Sequence, residues 1–158
     1  VGGRLRSLLL VVTAFTLAHS LTLGIAAIGW VRPPSIWIEP GIALTIAYVG
    51  MLNLLLRSER HGTLLAFVFG LIHGFGFAGA LAEVGLPETA IPIALLFFNV
   101  GVEIGQLLFV GTVLVVITVG WRAGQQFRAS HPAWLWRIAP YAIGGLASLW
   151  LVERVAAF

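Results

Sequence analysis

Three ionisable side chains, His19, His73 and Glu103, stand in the middle of long apolar runs. An ionisable group deep in a membrane-spanning helix costs on the order of 2–3 kcal/mol or more unless it has partners, so such groups mark where chemistry is to be sought. Asn99 and Gln106 flank Glu103 at spacings of four and three residues. At about 100° per residue these three side chains share one narrow helical face. Imidazole, carboxylate and carboxamide groups together suit a divalent ion such as nickel, cobalt or zinc. His19, His73 and Glu103 are the candidate ligands, and Asn99 and Gln106 the groups that orient them. Glu39, followed by Pro40 in a typical first-turn position, opens another helix, and Asn53 lies on nearly the same face further along it. Those two mark the mouths of a path. The plainer alternative makes the histidines and carboxamides hydrogen-bonding glue between helices and Glu39 a helix cap.

Other chemistries are excluded or weakly supported. The chain has no cysteine, so disulfides, thiolate metal sites and cysteine nucleophiles are absent. One methionine, Met51, does not make a copper(I) path. There is no G-x-S-x-G elbow, and Ser20, the only serine beside a mid-span histidine, is the immediate neighbour of His19. Adjacent helical residues point about 100° apart, which argues against a Ser–His catalytic pair and against an enzyme.

The elements that hold these residues follow from composition. Hydrophobic residues make up 59% of the 158 and charged residues only 9%, whereas a soluble domain is about a quarter charged. Most of the outer surface must therefore face lipid. A membrane span needs roughly 20 mostly apolar residues, and five stretches qualify, at approximately 7–30, 37–56, 63–82, 90–120 and 135–152. The fourth is long enough to tilt or project, and the fifth is short with Pro140 near its start. The runs do not alternate apolar with polar residues, so a β-barrel is excluded. The expected architecture is all-α: a single polytopic transmembrane helix bundle over residues 1–158, with about five transmembrane helices.

Arg32-Pro33-Pro34-Ser35, the charged segment Arg57 to Gly62, Gly85-Leu86-Pro87-Glu88 and the stretch Trp121 to Trp134 separate the runs. Glu59, His61, Glu83, Glu88, His131 and Glu153 fall in these connections or at helix ends, where water solvates them. All six tryptophans lie near expected helix ends, as interfacial anchors should. The formal charge of +3 reflects nine arginines against six glutamates, spread too thinly for nucleic-acid binding. Arg4, Arg6, Arg57, Arg60, Arg122, Arg128 and Arg137 fall on one side of the bundle, and Arg32 and Arg154 on the other. That asymmetry places the N-terminus in the cytoplasm and the C-terminus outside. Gly70 and Gly74 around His73, and Gly101 and Gly105 around Glu103, form G-x-x-x-G units that permit close helix packing. If those faces meet, His73 and Glu103 come within reach of each other. Phe15-Thr-Leu-Ala-His19 and Phe69-Gly-Leu-Ile-His73 also echo each other and hint at a parallel duplication.

At these residues the sequence resembles a known family. Thr13-Ala-Phe-Thr-Leu-Ala-His-Ser-Leu-Thr-Leu23, Phe69-Gly-Leu-Ile-His-Gly-Phe-Gly-Phe-Ala78 and Phe98-Asn-Val-Gly-Val-Glu-Ile-Gly-Gln106 look like the HupE/UreJ membrane family. They are closer to the branch often fused behind an extracytoplasmic domain, and the segment from Tyr141 to Arg154 fits too. The resemblance implies a multi-pass protein of a bacterial-type inner (plasma) membrane, tied to nickel supply or related metal permeation. His19, Glu39, His73, Asn99, Glu103 and Gln106 are the matching positions. Family members usually carry an earlier helix with a histidine and a later Asp-His pair, thought to bind the metal. This sequence has no aspartate and no such helix. The opening Val1-Gly2-Gly3-Arg4, without an initiator methionine, reads as a fragment.

The leading expectation is a metal permease or metal-handling membrane protein, for nickel or another divalent transition metal. It would sit in the lipid bilayer as a homo-oligomer or in a larger complex. The alternatives are an accessory subunit that moves nothing and, less favoured, a haem held between His19 and His73.

Overall fold

Each apolar run becomes one helix, because in lipid a backbone satisfies its N–H and C=O groups only by pairing them within the segment. The computed structural model describes residues 2–55, 61–84, 90–126 and 134–157. They form α1 (Gly2–Ala27), α2 (Ser35–Leu55), α3 (Gly62–Val84), α4 (Ile91–Gln126) and α5 (Leu135–Ala156). No strand occurs among the described residues. Four stretches are long and apolar enough to cross a membrane: Leu5–Ala27, Ser35–Leu55, Gly62–Gly79 and Ile91–Gly120. α5 has a similar length, 22 residues, with Arg137 near its start and Glu153 and Arg154 near its end. The expected connections at 57–62 and 85–88 lie largely outside the described residues, and α4 continues to Gln126, six residues past its expected end and into the expected connection 121–134.

α1 ends three residues before the expected boundary, and the cause is local. Gly29 adopts φ +80°, where an L side chain would be strained. Its N–H donates to the Ala26 carbonyl (3.0 Å) and the Trp30 N–H to the Ile25 carbonyl (3.1 Å). This pair of bonds is a Schellman cap, and Arg32 Nε donates to the Ala26 carbonyl at 3.4 Å. α2 then starts at Ser35, two residues before the expected position, with the Trp37 N–H donating to the Pro34 carbonyl. Pro40 therefore lies inside the helix rather than in its first turn, and Glu39 does not open it.

The helices form a row in the order α4, α1, α3, α2, α5. α1 and α3 run parallel: Val11 lies against Gly62, Phe15 against Gly70 and His19 against Gly74. The other neighbours are antiparallel. Gly41 meets Ile72 between α2 and α3, while Gly50 meets Gly144 and Glu39 meets Arg154 between α2 and α5. This path brings Arg4, Arg6, Arg122 and Arg137 to one end of the bundle and Arg32 and Arg154 to the other.

The interior is made mostly of small and polar residues, with Val12 and Leu23 among them. Ala18, Ala26, Ala43, Ala66 and Ala147 are buried alongside Thr16, His19, Thr22 and Thr45, whereas Leu108, Phe109 and Leu146 point outward. Lipid solvates leucine as well as another helix does, so close backbone approach drives the packing instead. A Cβ on Gly70 would sit 2.5 Å from the Phe15 carbonyl oxygen, and one on Gly74 would overlap Thr22 Oγ1 and the His19 carbonyl. The first G-x-x-x-G unit thus packs on α1, not on α4. A Cβ on Gly101 or Gly105 would meet nothing within 4 Å, and among the described residues α3 and α4 make no close backbone approach, although the Phe77 and Phe98 rings meet at 5.4 Å between centroids. The anticipated meeting of the two glycine faces does not occur among the described residues.

Candidate intramembrane polar site

Thr13, Thr16 and His19 recur along α1 at spacings of three residues, so a strip of polar side chains runs along one side of the helix. The antiparallel α4 answers it. Thr13 Oγ1 donates to Glu103 Oε1 (3.2 Å), Thr16 Oγ1 lies 3.2 Å from Gln106 Oε1, and His19 Nδ1 lies 3.3 Å from Asn99 Oδ1. All three α4 residues expected to share a face do share one, and it is turned toward α1.

His19 sits at the inner part of this seam, only 1% exposed. Three phenylalanines from three helices surround its ring. Phe15 stacks at 6.0 Å between centroids and Phe98 at 6.2 Å, while Phe77 approaches edge-on at 5.2 Å. The bond to Asn99 decides the tautomer. Asn99 Nδ2 donates to the Leu95 carbonyl at 2.9 Å, which turns its Oδ1 to the imidazole. A carbonyl oxygen only accepts, so His19 Nδ1 carries the proton and Nε2 keeps its lone pair. Metal-binding histidines are typically held in this way, with one ring N–H donated to an oxygen and the other nitrogen facing the ion.

His73 faces the opposite way, toward α2. Thr45 Oγ1 donates to the Ile42 carbonyl (2.7 Å) and lies 2.9 Å from His73 Nε2. The single hydroxyl proton is thereby used, so His73 Nε2–H donates to Thr45. The Phe15 ring packs edge-on against His73 at 5.5 Å as well as against His19. Among the described residues, no three of His, Asp and Glu come close enough to hold an ion together. His19, His73 and Glu103 are thus distributed over two helix interfaces, not gathered in one cluster.

The remaining candidates fall elsewhere. Glu39 pairs with Arg154 at 3.0 Å at the end of the α2–α5 interface. Asn53 is exposed and Nδ2 donates to the Val49 carbonyl of its own helix. Glu59, Glu88 and His131 lie outside the described residues. An open groove of about 240 Å³ lies toward the N-terminal end of the α1–α4 seam, between Val11, Phe15, Ala66, Phe109 and Gln106, the last being its polar wall. Thr45, the partner of His73, was not legible in the sequence, since a single threonine in an apolar run carries no signal of its own.

A row of long apolar helices with a partly buried polar seam defines a polytopic membrane protein. Residues 1–154 match the model of the family described as HupE / UreJ protein, and the chain belongs to that family. The family is associated with nickel and cobalt transport or with accessory roles. No curated protein and no solved structure matches the chain.

Proposed function

We propose that the chain conducts a divalent transition-metal ion, nickel or a chemical neighbour, along the α1–α4 seam. The observation that carries this reading is the His19–Asn99 bond, which fixes the proton on Nδ1 and leaves the lone pair on the other ring nitrogen of a buried histidine. The donors along the seam are one imidazole nitrogen with carboxylate, carboxamide and hydroxyl oxygens, a set that suits nickel, cobalt or zinc. They are strung along the helices one or two at a time. A conducting site must bind well enough to admit an ion and weakly enough to release it, and dispersed ligands meet that need better than a closed cage. Glu103 supplies the one carboxylate in the seam and offsets part of the ion's charge.

On the arginine asymmetry, α1 begins at the cytoplasmic face of a bacterial-type inner membrane and α5 ends outside. The haem reading loses support, because the Phe15 ring packs against both imidazoles. A hydrolytic reading does too, since the Ser20 hydroxyl is donated to the Thr16 carbonyl at 2.6 Å.

The test is nickel uptake by proteoliposomes containing the full chain or its His19→Ala variant. Uptake should fall by about tenfold or more, in line with loss of a ligand orientated by a neighbouring group, at equal folded protein. Unchanged uptake would remove the proposal. One observation favours a second reading. Gly101 and Gly105 lie open on α4, the type of face on which another membrane helix packs. A HupE / UreJ accessory subunit would use it, and co-purification of a partner at fixed stoichiometry, with no metal uptake by the pair, would support that role.

A further inference from the structure

The two histidine bonds are one arrangement made twice. His73 lies 54 residues after His19, and Asn99, the partner of His19, lies 54 residues after Thr45, the partner of His73. Phe69 and Leu71 follow Phe15 and Leu17 at the same displacement. α1 and α3 pack side by side and parallel, with Phe15 beside Gly70 and His19 beside Gly74, so the two motifs stand at the same height. α1 then touches α4 and α3 touches α2. A pseudo-two-fold axis between α1 and α3 exchanges these pairs, as in parallel repeats related by an axis along the membrane normal. The pairs α1–α2 and α3–α4 are therefore related as two copies, each resting its second helix on the first helix of the other, with α5 outside the repeat.

Such a duplication builds two equivalent seams, α1–α4 and α3–α2, and their side chains differ. At the positions equivalent to Thr13 and Glu103 the second seam has Phe67 and Val49, and at those equivalent to Thr16 and Gln106 it has Gly70 and Leu52. Only the histidine and its partner have stayed polar in both. We propose that the α1–α4 seam alone is hydrated and forms the path, while the α2–α3 seam is sealed and His73–Thr45 acts as a strut between its helices. This rests on the conducting role argued above. It separates two histidines of the same type: His19 in the path, His73 outside it.

The absence of native cysteine makes the test direct. Single cysteines are placed at equivalent positions, Thr13→Cys and Glu103→Cys against Phe67→Cys and Val49→Cys, in the full chain in liposomes. Each is treated with a charged methanethiosulfonate, and a separate denatured aliquot is titrated with a maleimide to count the thiols present. Only a thiolate reacts, and a thiol in apolar surroundings stays protonated, so the α1–α4 pair should label about tenfold faster or more. Nickel uptake is measured in parallel for His19→Gln, His73→Gln and Thr45→Val. Uptake should be lost in the first and retained in the other two, whose thermal unfolding midpoints should fall. Equal labelling of both seams, or loss of uptake in folded Thr45→Val, overturns the inference and leaves conduction standing. No labelling in either seam, with wild-type uptake intact, does the same. Selective labelling of the α1–α4 seam with no wild-type uptake upholds the hydrated seam and removes the conducting role.

Discussion

His19 and Asn99, 80 residues apart, are joined by a 3.3 Å hydrogen bond whose direction is set by a second bond, from Asn99 to the Leu95 carbonyl. That pair makes a buried imidazole a fixed donor at Nδ1 and leaves the lone pair on Nε2. Replacing Asn99 by leucine keeps the bulk and removes the acceptor, so the ring loses its orientation. Nickel affinity or uptake should fall by about 10–100-fold, the usual effect of losing a group that orients a ligand. Isothermal titration in detergent and uptake in liposomes read it, and wild-type affinity would rule out the orienting role.

Glu103→Gln retains an acceptor for the Thr13 hydroxyl, so the helices should pack as before. It removes the seam's negative charge. Uptake of a divalent ion should drop several-fold with the unfolding midpoint unchanged, as measured by flux assay and thermal melt on the same preparation. A parallel fall in both quantities would instead make Glu103 a packing residue.

The two G-x-x-x-G units should respond oppositely to alanine. Gly74→Ala forces a methyl into Thr22 and the His19 carbonyl; overpacking of this sort costs about 1–3 kcal/mol. Gly101→Ala meets nothing and should change stability by no more than about 0.5 kcal/mol. Detergent unfolding of the isolated chain measures both. A large effect at Gly101 would reveal a contact made in an oligomer.

Glu39 and Arg154 are roughly a third to a half exposed, and ion pairs of that exposure contribute about 0–1 kcal/mol. Glu39→Gln should therefore leave uptake intact and lower the unfolding midpoint slightly, and the charge-reversed double variant Glu39→Arg/Arg154→Glu should recover it. Loss of uptake in Glu39→Gln would return this residue to the path.

Much of this protein was legible before any tertiary contact was known. Five apolar runs became five helices, because lipid leaves a backbone no partner but itself. His19, Asn99, Glu103 and Gln106 could be singled out because polar groups in such runs are expensive. Helical periodicity correctly put the last three on one face. Periodicity does not say what that face meets. Every apolar side of a membrane helix is equally content in lipid, so hydropathy holds no record of which helix lies beside which. Only the packed structure decided that Gly70 and Gly74 receive α1, that Glu103 therefore faces Thr13 and not His73, and that Thr45 partners His73. Backbone approach at two glycines, a matter of tenths of an ångström, selected those neighbours where polarity alone could not.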